Sequence, residues 1–320
     1  MRYLLFPRWL IVPLVIMAAL NFTVIKQSPV EHDATFVATH KLLNWRDPVT
    51  GRAIEFPIDR TADADEQARQ LYELTKLELD FNQLTTLPPE IGQLKNLETI
   101  WLNDNELTTL PPEIGQLENL QELQINRNQL VALPPEIGQL ENLRNLGLEN
   151  NNLSSLPPEI GQLKSLRKLW INSNQLTNLP SEIGQLETLR GLYINNNQLA
   201  SLPSEIGQLV NLYEFGLNNN QLTALPPEIG QLTKLDAMWI HDNQLSSLPV
   251  EIGEMSALRG LYMNNNQLTR LPAEMGQLNK LKWLYVNNNL LSQIPRAISD
   301  LPELDVFDYE NNPLGTLISG

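Results

Sequence analysis

From Leu74 onward the apolar positions repeat with one fixed period. The first leucine of each unit falls at Leu74, Leu97, Leu120, Leu143, Leu166, Leu189, Leu212, Leu235, Leu258, Leu281 and Leu304, every 23rd residue, giving ten complete units and a partial eleventh. Within a unit, positions 1, 4, 6, 11 and 14 are nearly all Leu, Ile, Met or Phe, as in Leu120, Leu123, Ile125, Leu130 and Leu133. Positions 4 and 6 alternate with polar or variable neighbours, which predicts a short strand with one buried face. Position 9 is Asn in every unit, from Asn82 to Asn312. A buried amide there can satisfy backbone groups left unpaired where the strand turns away, in its own coil and in the next. Position 15 is Pro in all ten complete units, from Pro88 to Pro295. Proline fixes φ and ends strand pairing, so the chain crosses to the other side of the coil. The Glu-Ile-Gly-Gln-Leu stretch that follows predicts a short helical or 3-10 turn.

The pattern Leu-x-x-Leu-x-Leu-x-x-Asn-x-Leu, closed by Leu-Pro-x-Glu-Ile-Gly-Gln-Leu, resembles the leucine-rich-repeat family. The unit length is similar to the 23-residue repeats of bacterial proteins and of the intracellular Ras-group class. The resemblance covers residues 74–320. It implies an α/β solenoid, a curved horseshoe with a concave parallel β-sheet and short helical or 3-10 turns on the convex side. It implies little about the ligand, because one fold carries many binding functions.

The flanks lack the repeat. Residues 1–26 carry Arg2 and Arg8 followed by an apolar run from Trp9 to Leu20, the layout of a signal peptide; extended to Ile25, the run approaches a membrane anchor. Export to the cell surface, periplasm or medium is therefore expected, with a cytoplasmic, membrane-tethered signalling scaffold as the alternative. Any membrane contact is expected only through this N-terminal segment. Residues 27–73 are expected to cap the open end of the solenoid. Asp47-Pro48-Val49-Thr50-Gly51 reads as a turn, and Asp63 with Glu66 three residues later reads as a helix start. At the other end, Ala297, Ser299 and Asp300 replace the usual Glu, Gly and Gln, and charges at Asp305, Asp308 and Glu310 discourage edge-to-edge pairing.

Composition then narrows function. The chain has no cysteine, which removes disulfides, thiolate metal sites and a cysteine nucleophile. Its net charge of −15 argues against a nucleic-acid partner. Much of that charge is one glutamate copied at position 17 of nine units, from Glu90 to Glu274, away from the sheet. Three histidines, His32, His40 and His241, are too few and too scattered for a catalytic or metal constellation. No enzymatic activity, metal or cofactor is expected.

If positions 4 and 6 point inward, positions 2, 3, 5, 7 and 8 face solvent on the sheet side. Position 5 places Trp101, Trp170, Tyr193, Trp239, Tyr262 and Tyr285 there, and Tyr213 and Trp283 join them from positions 2 and 3. Only Phe215, Phe307 and Tyr309 are expected to fill core slots. Like positions on successive strands stack ~4.8 Å apart, so Trp239, Tyr262 and Tyr285 should form one band and Trp170 with Tyr193 a second. A local positive stretch, Arg144, Arg167, Lys168 and Arg190, favours an acidic patch on a partner. Trp101, Trp170 and Trp239 recur every third unit, which points to duplication of a three-unit block. The reading is a non-enzymatic protein-binding module whose partner-binding residues are these aromatics and cations. A glycan is the second class of ligand, served by amides such as Asn195, Asn196, Asn264, Asn265, Asn287 and Asn288 beside the rings.

Overall fold

The structure, a computed structural model, describes residues 37–315. Eleven strands form one parallel sheet in strictly sequential order: β1 (Lys76–Glu78), β2 (Thr99–Trp101), β3 (Glu122–Gln124), β4 (Asn145–Gly147), β5 (Lys168–Trp170), β6 (Gly191–Tyr193), β7 (Glu214–Gly216), β8 (Ala237–Trp239), β9 (Gly260–Tyr262), β10 (Trp283–Tyr285) and β11 (Val306–Asp308). Register is one whole unit throughout: Lys76 lies opposite Thr99, and Trp283 opposite Val306. Every side chain therefore sits beside its counterpart from the next unit. Each strand buries its middle residue, from Leu77 to Leu284 among the first ten, and position 6 follows it into the core. This is the open, curved solenoid that the repeat implies.

Position 8 has a backbone role that the periodicity hides. It takes a positive φ in all eleven units, from 59° at Phe81 to 54° at Asn311. Asn or Asp fills it in most units, the residues that tolerate the left-handed region best. Phe81, Arg127 and Ser173 are the exceptions; Phe81 is a bulky side chain, 71% exposed, held in a conformation that costs roughly 1–2 kcal/mol.

The turn at position 8 folds the chain back, and the position-9 amide then lies against the coil already laid down. Asn174 Nδ2 donates to Leu148 O at 2.9 Å and Ile171 O at 3.2 Å, while its Oδ1 accepts from Leu153 N at 3.0 Å. The amide thus bridges its own coil and the preceding one, not the next as its sequence position suggested. Asn105 through Asn289 are all buried in this role.

On the convex side each proline leads into a 3-10 turn, as Pro157 does for Pro158–Gln162. The glycine of that turn answers to its neighbour. A Cβ on Gly161 would lie 2.5 Å from the backbone carbonyl of Glu182 in the next coil. Gly161→Ala is expected to force neighbouring turns apart and lower stability by about 2 kcal/mol, read as a shift of the urea midpoint. An unchanged midpoint would mean that the turns separate freely. The tenth unit turns through an α-helix instead, Arg296–Ser299. Its Ser299 stands at the glycine position, and no eleventh turn packs against it among the described residues.

Before β1, residues 37–43 are helical and Arg46 pairs with Ala53 in an antiparallel bridge. The helix Ala64–Tyr72 starts at Asp63, whose side chain accepts from Glu66 N at 2.9 Å, and it buries Ala68 and Leu71. Leu42, Ile54, Phe56 and Leu71 join Leu77, Leu79 and Leu84 in one continuous apolar cluster. Asp47 is buried, with Oδ2 accepting from Thr85 N at 2.7 Å and Oδ1 from Thr50 N at 2.8 Å. The expected leader at 1–26, together with residues 27–36, lies outside the described residues. Among the described residues no helix is long and apolar enough to cross a membrane.

One core assignment changes at the far end. Phe215 is fully buried, but Phe307 is only partly covered and Tyr309 is 44% exposed. The two rings meet edge to face at 4.9 Å at β11, the edge strand of the sheet among the described residues.

Candidate functional site

The outer face of the sheet gathers the candidate residues because the one-unit register aligns their positions. At position 5, Trp170 and Tyr193 stack with centroids 5.9 Å apart and planes within 6°. Trp239 and Tyr262 stack at 5.8 Å, and Tyr262 continues to Tyr285 at 5.2 Å. Gly147 and Gly216 interrupt this column. Among the described residues Trp101 stacks on no other ring; Lys76 Nζ lies 3.7 Å from its centre and its Nε1 donates to Glu122 at 3.0 Å. Trp283 lies beside the Tyr285 band on the same strand, and among the described residues it makes no ring contact with it. Tyr213, at position 2, is 47% exposed.

Two glycines make room for the tyrosines. A Cβ on Gly191 would meet the Tyr193 ring at 2.9 Å, and one on Gly260 would meet the Tyr262 ring at the same distance. Each ring therefore lies down over the glycine two residues before it, which explains the repeated Leu-Arg-Gly-Leu-Tyr. The sequence carries this signal as a glycine two residues before each tyrosine, Gly191 before Tyr193 and Gly260 before Tyr262. The Tyr193 hydroxyl donates to Glu214, and partial burial with that carboxylate pushes its ionisation up. Asp236 beside Tyr213 raises the latter in the same direction, through its charge first. These phenols remain protonated hydrogen-bond donors at neutral pH.

Position 7 is less free than its polar character suggested. Asn126 N donates to Asn103 Oδ1 at 2.9 Å, Asn195 N to Asn172 Oδ1 at 2.8 Å, and Asn218 N to Asn195 Oδ1 at 2.8 Å. A second amide ladder thus runs beside the position-9 ladder and fades at His241, whose N lies 3.2 Å from Asn218 Oδ1. Beyond it the ladder moves to position 8, with Asn265 bonded to Asp242 and Asn288 to Asn265. The oxygen of Asn287 is buried without a protein partner. Several amides offered to a sugar by the sequence are therefore engaged with the sheet itself.

The cations Arg144, Arg167, Lys168 and Arg190 are all exposed, side by side on three successive rungs. Lys168 Nζ sits 5.6 Å from the Trp170 ring. His241 Nδ1 meets Asp242 at 2.5 Å, and among the described residues no group of three or more such side chains is placed to hold a metal ion.

Comparison with known proteins agrees with this geometry. A leucine-rich repeat region model matches residues 64–145 and 133–235, and a leucine rich repeat model matches 210–268 and 256–314. The chain belongs to the leucine-rich-repeat family. No curated protein matches it. Among solved structures, it is similar to a leucine-rich-repeat protein of Leptospira interrogans, with 38% identity over 73% of this chain and 71% of that one and a TM-score of 0.52. An internalin from Listeria monocytogenes is 26% identical over 81% of this chain and 74% of its own, at a TM-score of 0.70. A plant peptide hormone receptor, solved in complex with RGF2, is 35% identical over 75% of this chain, at a TM-score of 0.68; the match spans 40% of the receptor chain.

Proposed function

We propose that this chain is a binding module that recognises a partner protein through the outer face of its sheet. The observation that carries the reading is the pair of ring stacks, Trp170–Tyr193 and Trp239–Tyr262–Tyr285, standing on a solvent-facing surface. Stacked rings are rigid and amphipathic, and aromatic side chains dominate binding energy where a partner covers them. The peptide-bound receptor among its structural neighbours supports a protein or peptide ligand. In this reading residues 27–73 close one end of the solenoid, and residues 1–26 export or anchor the chain. The internalin and receptor neighbours favour such a location.

A random 12-residue peptide library displayed on phage and selected on the immobilised full chain tests the reading. Titration of the enriched peptides is expected to show Trp239→Ala weakening binding about tenfold while the unfolding midpoint holds. Peptides that bind equally well to the Trp239, Tyr262 and Tyr193 alanine variants would place recognition elsewhere.

A further inference from the structure

Eight cations project from the five solvent-facing positions of the units, and they divide cleanly. Lys76 pairs with Glu78, Arg127 with Asp104 at 2.6 Å, Arg259 with Asp236 at 3.3 Å and Lys282 with Glu303 at 3.8 Å. The remaining four, Arg144, Arg167, Lys168 and Arg190, have no carboxylate within ion-pair distance among the described residues. They are also contiguous. Backbone hydrogen bonds from Arg167 N to Arg144 O and from Arg190 N to Arg167 O, both 2.8 Å, fix the three arginines on consecutive rungs. Like charges on neighbouring strands repel. A chain with 37 acidic residues has no shortage of carboxylates to place opposite them. The strip is left uncompensated on the same strands that carry the Trp170–Tyr193 stack.

Resting on the protein-binding reading above, we infer that the partner presents an acidic, extended segment that crosses β4, β5 and β6. Three rungs at ~4.8 Å span about 10 Å, the length of three to four extended residues at ~3.3 Å each. Two or three Asp or Glu side chains within such a stretch meet the guanidiniums of Arg144, Arg167 and Arg190, each able to hold a carboxylate with two parallel hydrogen bonds. An aromatic or large apolar residue beside them lies on Trp170 and Tyr193. Lys168, already over the Trp170 ring, adds charge at the junction between the acidic and aromatic contacts.

The same phage-displayed library decides the matter, selected in parallel on the full wild-type chain and on the triple variant Arg144→Ala, Arg167→Ala, Arg190→Ala. These side chains are exposed, so the variant is expected to keep its unfolding midpoint. Wild-type selections should enrich peptides with two or more acidic residues next to an aromatic one. The triple variant should bind those peptides at least about 30-fold more weakly, and raising salt from 50 to 500 mM should weaken the wild-type complex about tenfold. Arg→Lys at the three positions should restore part of the loss, because charge returns without the fork. Enriched peptides with no acidic bias would overturn the inference and leave the protein-binding reading standing. A selection with no enriched peptides counts against both. A sulfated heparin oligosaccharide that binds the strip when the acidic peptides do not would assign it to a polyanionic sugar and overturn the inference as well.

Discussion

Asn174→Ala should lower the stability of the chain by about 3 kcal/mol. The reason lies in what the amide leaves behind. Each position-6 carbonyl inside the array accepts two amide donors: Leu148 O from Asn151 and Asn174, and Ile171 O from Asn174 and Asn197. Removing Asn174 therefore leaves both carbonyls with one partner. Leu153 N loses the amide oxygen that holds it at 3.0 Å inside the protein. A buried orphan donor costs roughly 1–3 kcal/mol, and the missing bonds and the small cavity add to that. Because each coil contacts only its neighbours, the damage falls at one interface in the middle of the array. Hydrogen exchange at the Leu153 amide should accelerate together with a drop in the urea midpoint. Gln198→Ala, on an exposed position of the next coil, should move neither by more than about 0.5 kcal/mol. A protected Leu153 amide in the Asn174 variant would show that the ladder tolerates a missing rung.

The parts of this fold that the sequence displayed are those in which one unit refers to itself. Alternation at positions 4 and 6 marks the strand, Pro157 and its equivalents mark the crossing, and Asn174 and its equivalents mark the turn. The parts it concealed depend on the distance between units. Gly161 is required by a carbonyl in the following coil, so no inspection of a single unit explains it. The direction of the Asn174 amide depends on which neighbouring coil lies beneath the left-handed residue. The position-7 asparagines read from one unit as solvent-facing polar residues, because their acceptor role is visible only when the neighbouring strand's N–H is in place. The candidate face was legible in outline for the same reason as the strand: a fixed period converts like positions into columns. Whether a cation in such a column is paired was not legible, since Arg259 and Arg190 share one repeat position and only the former meets a carboxylate.

At the N-terminal end, Asp47→Asn should destabilise the first coil by about 2 kcal/mol at pH 7, and the deficit should shrink in acid. Asp47 is buried to 1% exposure before the first repeat, and it binds Thr85 where later units have a preceding coil to lean on. Burial alone would raise its ionisation. Hydrogen bonds from the backbones of Thr50 and Thr85, the Thr85 hydroxyl and the backbone of Val49 outweigh that, so the carboxyl ionises well below the ordinary aspartate value. A carboxyl depressed in the folded state contributes its full stabilisation above the unfolded-state value of about 4 and loses it as pH falls toward the folded-state value. Asparagine keeps the size and one acceptor oxygen but not the charge, so the wild-type advantage should be constant from pH 7 to about 5 and decline progressively as pH falls below about 4. Other carboxylates titrate alike in both proteins, so the difference between the two isolates Asp47. The Thr85 amide reports locally: its exchange should quicken in the variant at pH 7, while the Leu153 amide, several coils away, stays as slow as in the wild type. If residues 27–73 close the solenoid as proposed, loosening should begin at Thr85 and fade within one or two coils. A gap between the two proteins that stays constant through pH 3 would mean that Asp47 acts through its shape and not its charge.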